Sequence, residues 1–144
     1  MTQPDWRPLV ELKVPALPTG LWTLAFDFVA GPRKLKFEAE GAWKRAASGS
    51  DFGPDGDISV ALDSGALSGL SLVGGLIAKI GGGTADKVDP AALTPVSWIF
   101  AVGKRCVYQV ALAQSGSLFL TMNDRPEGFP AHSGEVLVKV FEAL

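Results

Sequence analysis

The chain has 144 residues, 47 % of them apolar and 19 % charged, with a net charge of −2 and a mean hydropathy of +0.24. That length fits one domain spanning 1–144, large enough to bury a core without covalent staples, and the near-neutral charge gives no basic field for a nucleic-acid backbone. Cys106 is the single cysteine, which excludes an internal disulfide and a thiolate metal cluster, and the apolar stretch 70–80, interrupted by Gly74, Gly75 and Lys79, is too short to span a bilayer.

Short apolar runs punctuated by 17 glycines and 10 prolines predict an all-β domain. Val10, Leu12 and Val14 alternate with Glu11 and Lys13, giving a first strand that stops at Pro15. A second follows Gly20, with Trp22, Leu24, Phe26 and Phe28 assigned to one face, and ends at Gly31-Pro32. Leu35, Phe37 and Ala39 alternate with charged residues, which places one side in solvent. The loop 46–56 carries Gly53-Pro-Asp-Gly56, a turn in which Pro sets φ and Gly permits positive φ. Ile58, Val60 and Leu62 predict a short strand, and 65–75 is irregular or partly helical.

Leu76-Ile-Ala-Lys-Ile80 reads as a buried strand closed by three glycines, 81–83. Two Pro-bounded turns and one helical turn at 90–93 lead to strands at Trp98, Phe100 and Val102, then at Cys106, Tyr108 and Val110. The clearest alternation comes last. Leu118, Leu120 and Met122 precede a loop at 124–134, and Val136, Val138 and Val140 follow it. Eight or nine strands with no room for covering helices predict an all-β, jelly-roll-like antiparallel β-sandwich. A polar loop held by two prolines and two glycines on such a frame is where a site is expected.

Four pieces in order, Ala39-Glu-Gly-Ala-Trp43, Gly53-Pro-Asp-Gly-Asp57, Gly75-Leu-Ile-Ala-Lys-Ile-Gly81 and Ser115-Gly-Ser-Leu-Phe-Leu-Thr-Met-Asn-Asp124 with Ser133-Gly134 beyond it, resemble the bacterial PA-I type galactophilic lectins and the wider group of galactose-binding-like β-sandwich domains. The resemblance covers roughly residues 20–141. It implies a small jelly roll, a homo-oligomer, and in the lectins a calcium ion bridging protein to sugar hydroxyls. Asp124 matches the aspartate that ligates metal and touches sugar, and the Gly128 carbonyl matches a backbone ligand. The chain departs from the lectins at Ala131 and His132, where they carry adjacent carboxamides or carboxylates, and at 44–47, where they carry a tyrosine. Val60 and Asp63 stand about where an imidazole and a carboxamide are placed. Calcium wants six to eight hard oxygens, and imidazole is a poor ligand for it.

The expected sugar contacts are Asp124, accepting from hydroxyls, Arg125, donating its N–H, His132, touching a ring edge, and Trp43 as a stacking platform, with Trp98 a second platform. The bland readings are an Asp turn anchor, a solvated loop histidine, and tryptophans in the core. Asp51, Asp55 and Asp57 read as a solvated acidic loop. No catalytic residues are nominated: Asp124, His132 and Ser133 come from one loop, with base and nucleophile adjacent and pointing apart, and there is no Gly-x-Ser-x-Gly elbow. The functional expectation is carbohydrate binding, with weak or no calcium dependence. The alternative is a structural or protein-interaction subunit of the same fold without sugar or metal. The N-terminus shows no basic segment followed by an apolar one, which points to the cytoplasm or to non-classical export.

Overall fold

The computed structural model describes residues 5–16, 22–46, 48–63, 66–68, 71–81 and 99–144. Among them are eight strands: β1 (Trp6–Pro15), β2 (Thr23–Ala30), β3 (Arg33–Lys44), β4 (Leu76–Ile80), β5 (Ile99–Ala101), β6 (Arg105–Val110), β7 (Ser115–Met122) and β8 (Ser133–Ala143). A 3-10 helix, Pro126–Ala131, joins β7 to β8. The strands form two four-stranded sheets, ordered β1-β8-β3-β6 and β2-β7-β4-β5, and every pairing is antiparallel. The chain is an all-β, jelly-roll-like sandwich, and no helix among the described residues is long and apolar enough to cross a membrane.

The inner faces are the alternating positions read from sequence. Leu35, Phe37 and Ala39 of β3, Val136, Val138 and Val140 of β8 and Val14 of β1 meet Leu76, Ala78 and Ile80 of β4 and Leu118, Leu120 and Met122 of β7 in one buried cluster. Because side chains alternate across a strand, these residues share an inner face while Glu38, Glu40, Glu135 and Lys139 point outward. A smaller cluster, Trp22, Leu67, Ile77, Phe119 and Phe129, lies against the outer face of the second sheet. Lys79 is buried there too, its ammonium 4.7 Å from the Trp22 ring and 5.1 Å from Phe119.

Two elements differ from the sequence reading. Trp22, Leu24, Phe26 and Phe28 do not share a face, because the register of β2 slips between Leu24 and Phe26 and again between Phe26 and Val29. Each extra residue reverses the side-chain phase. Ala25 and Val29 therefore enter the core, while Leu24 and Phe28 are 50 % and 59 % exposed on an edge strand. Residues 58–62 form turns and bends instead of a strand, with Ile58 86 % exposed. There Asp57 takes the Ser59 N–H and hydroxyl at 3.0 and 2.6 Å, a local turn that competes with strand pairing. Trp98 and the helical turn at 90–93 lie outside the described residues.

Candidate functional site

The site lies at one end of the sandwich, where the last residues of β3 and β7 meet. Trp43 and Phe52 exchange two backbone hydrogen bonds, both 3.0 Å, which closes the loop between them and turns Arg45 toward β7. Trp43 itself is not a platform. It is 1 % exposed in the core, and its indole N–H donates to the Gly74 carbonyl at 2.9 Å, linking β3 of one sheet to the turn before β4 of the other. That turn needs a glycine: Gly74 has φ +86°, and a Cβ there would meet the Phe52 ring at 2.3 Å.

Asn123 completes this frame. Its backbone pairs with Gly74 and Gly75 at 2.6 and 2.7 Å. Its side-chain oxygen accepts from the Ser68 N–H at 2.9 Å, and its amide nitrogen lies 2.8, 3.0 and 3.2 Å from the carbonyls of Ser68, Ser71 and Leu72. One buried amide thereby holds the segment before β4 against the end of β7.

Asp124 follows, 4 % exposed. Arg45 donates to it through two nitrogens, Nε to Oδ2 and Nη2 to Oδ1, both at 3.3 Å. The Arg125 N–H reaches Oδ1 at 2.8 Å, and His132 Nε2 lies 2.9 Å from Oδ2. An ionised carboxylate only accepts, so Nε2 carries the hydrogen. Burial pushes the Asp124 carboxyl up, but the hydrogen bonds from His132, Arg45 and the Arg125 N–H, with the Arg45 charge, outweigh it and hold the carboxyl below its ordinary value.

The His132 ring is fully buried, not solvated. The cause is Phe129, one turn earlier in the 3-10 helix, which plugs the outer cluster and packs its ring 4.5 Å from the imidazole. His132 Nδ1 has no hydrogen-bond partner among the described residues. His132 thus orients Asp124 from below and does not face the outside. Arg125 also differs from its expected role. Its N–H is taken by Asp124, while its guanidinium grips Asp63 at 2.6 and 2.9 Å.

Above this buried floor is a hollow of about 420 Å³, bordered by Arg45, Phe52, Asp57, Asp124, Arg125 and Gly128. Two cations and two carboxylates stand on its wall, so its formal charge balances. A larger depression, about 720 Å³, covers the outer face of the first sheet beside Glu38, Glu40, Lys104, Arg105 and Lys139. Its charged side chains are exposed or half-buried, with Arg105 and Glu38 paired at 3.4 Å and Lys139 reaching Glu11 at 3.7 Å. Buried groups with set geometry distinguish a binding hollow from a charged sheet face, which favours the smaller one.

Sequence reading singled out Asp124, Arg125, His132, Trp43 and Gly128, and all but Trp43 gather within or directly under the hollow. It did not assign roles to Arg45, Phe52 or Asn123. A basic residue just past a strand gave the only signal for Arg45, since its partner is 79 positions away.

No family model and no curated protein matches the sequence. Among solved structures, the chain is similar to one described as "EclA N-terminal domain; PllA-like lectin", with a TM-score of 0.63 and 18 % identity over 94 % of this chain and 97 % of that one. The protein therefore has a lectin-like β-sandwich fold.

Proposed function

We propose that the chain is a non-enzymatic carbohydrate-binding protein whose site is the hollow between the 45–57 loop and the 124–131 segment. One observation carries the reading: a buried carboxylate, Asp124, held in fixed orientation by Arg45, His132 and the Arg125 N–H at the floor of a charge-balanced polar hollow. Sugars present alternating hydroxyl donors and acceptors on an apolar ring. The hollow offers guanidinium donors, the Asp57 carboxylate as an acceptor and the Phe52 ring as an apolar wall. Wall charges that cancel favour a neutral sugar, galactose-like or otherwise, over an acidic one. Modest affinity per site multiplied by self-association is the working logic.

A glycan array probed with the purified chain tests this. Neutral glycans should be retained by the native chain and lost from Asp57→Asn and Phe52→Ala. If no glycan is retained, the reading fails.

A second reading is favoured by Leu24 and Phe28, large apolar side chains exposed on β2, the edge strand of its sheet among the described residues. They suit a structural or protein-interaction subunit that pairs through this edge. Light scattering on the native chain and on a Leu24→Lys, Phe28→Lys double variant separates the readings. Self-association lost with glycan binding intact belongs to the lectin reading, and association without any glycan binding belongs to the second.

A further inference from the structure

The calcium implied by the lectin resemblance does not fit the groups beside Asp124. Both carboxylate oxygens already take two donors each: Oδ1 from Arg45 Nη2 and the Arg125 N–H, Oδ2 from Arg45 Nε and His132 Nε2. A carboxylate has about four such positions, and all four are filled. Calcium needs six to eight oxygens. Here Ala131 supplies no side-chain oxygen, His132 presents nitrogen, Asp63 is held by Arg125, and Asp57 has Oδ1 taken twice by Ser59 and brings at most its other oxygen. No group of three or more His, Cys, Asp and Glu side chains suited to a metal occurs among the described residues. The cation nearest the carboxylate is a guanidinium, which would repel an incoming dication.

We propose that Arg45 is the resident cation of this hollow: its guanidinium takes the place a dication would hold beside Asp124, so the site is organised and ligand is gripped without metal. Three features support this. The two-nitrogen, two-oxygen contact between Arg45 and Asp124 matches the planar fork that gives arginine–carboxylate pairs their fixed geometry. Arg45 comes from the end of β3 and Asp124 from the end of β7, so the pair crosses between the two sheets, as a shared metal would. A guanidinium carries five N–H donors and Asp124 takes two, and Arg45 lines the hollow, so its other donors, on Nη1 and Nη2, are the ones a ligand there would meet. Calcium would accept hydroxyl oxygens by coordination. Arg45 would meet the same oxygens as a hydrogen-bond donor, which selects hydroxyl-bearing ligands by direction instead of by charge.

The choice of neutral sugar as ligand rests on the proposed function, whereas the resident-cation assignment is read without ligand. The first measurement is the melting temperature of the purified chain in EDTA and in millimolar calcium, for the native chain, Arg45→Gln, Asp124→Asn and the double variant. Native melting should be the same in both solutions. Arg45→Gln and Asp124→Asn should each lower it, and the double variant should melt close to the worse single one, because each change removes the same contact. Arg45→Lys keeps the charge without the fork and should fall between. A saturable rise of several degrees with calcium in the native chain would overturn the proposal, as would fully additive losses in the double variant. The second measurement is binding of the glycans retained on the array. Native affinity should change less than twofold between EDTA and calcium and weaken at least tenfold in Arg45→Gln. Loss of native binding in EDTA overturns the proposal. An array with no retained glycan overturns the proposed function and leaves Arg45 to be judged by the melting data.

Discussion

Asn123 is the residue whose removal should be felt most for its size. Its side chain makes three good hydrogen bonds, one accepted from Ser68 N–H and two donated among the carbonyls of Ser68, Ser71 and Leu72, at 2.8 to 3.2 Å. Replacing it by Ala removes about 1 kcal/mol for each bond and leaves a buried N–H and carbonyls without partners at about 1–3 kcal/mol more, for a total of roughly 4–6 kcal/mol. A domain of this size has a stability of about 5–15 kcal/mol, so the loss is a large share of the whole. At about 2–4 °C per kcal/mol, the melting temperature should drop by roughly 10 °C or more. Urea unfolding followed by tryptophan fluorescence gives the free energy directly. Asn123→Asp separates polarity from packing, because it keeps the shape but turns an acceptor toward three carbonyls, and it should be at least as damaging as Asn123→Ala. A loss under about 1 kcal/mol for both variants would refute the claim that this amide holds the segment before β4 in place.

Three further outcomes follow from the same geometry. In Gly128→Ala the new Cβ would stand 2.8 Å from Asp124 Oδ2, and because that carboxylate is held from four directions the clash should cost about 1–3 kcal/mol, read by urea unfolding; an unchanged midpoint would mean Asp124 moves freely. The Asp124 carboxyl is held below its ordinary 3.8, so its contribution is complete above about pH 4 and is lost as pH falls through the lowered folded value; the native chain should lose stability more steeply than Asp124→Asn in urea titrations from pH 5 to 2. Burial pushes the Lys79 ammonium down to about 8 from 10.5, so between those values the unfolded chain holds the extra proton and stability should rise with pH. Lys79→Met should lack that part of the slope, and identical slopes would show that the stacked aromatic rings keep the ammonium charged.

The sandwich was legible wherever an alternation ran undisturbed. Leu118, Leu120 and Met122 with Val136, Val138 and Val140 read correctly because β7 keeps register along β4 and β8 along β3 without a slip. Trp22 to Phe28 shows the same alternation by residue type and was misassigned, because two register slips turn half of it outward and nothing in the residue types marks a bulge. The loop at 124–134 was found as a polar interruption between strands, yet its inner arrangement was hidden. His132 is buried because Phe129 finds an apolar recess formed by Trp22, Leu67, Ile77 and Phe119, all distant in sequence. Arg45 was likewise unreadable as a site residue, because only the sandwich brings the ends of β3 and β7 together.

Trp43 joins the two layers through its indole N–H to Gly74, and Arg45, two residues on, joins them again through Asp124. The dimensions of the hollow are therefore set by how far apart the layers stand. A swap of Val138 or Leu120 for a bulkier or smaller aliphatic, made in the buried cluster between the sheets, would act as a shim under it. The width of the hollow can drift in this protein through its interior, with every residue on the rim unchanged.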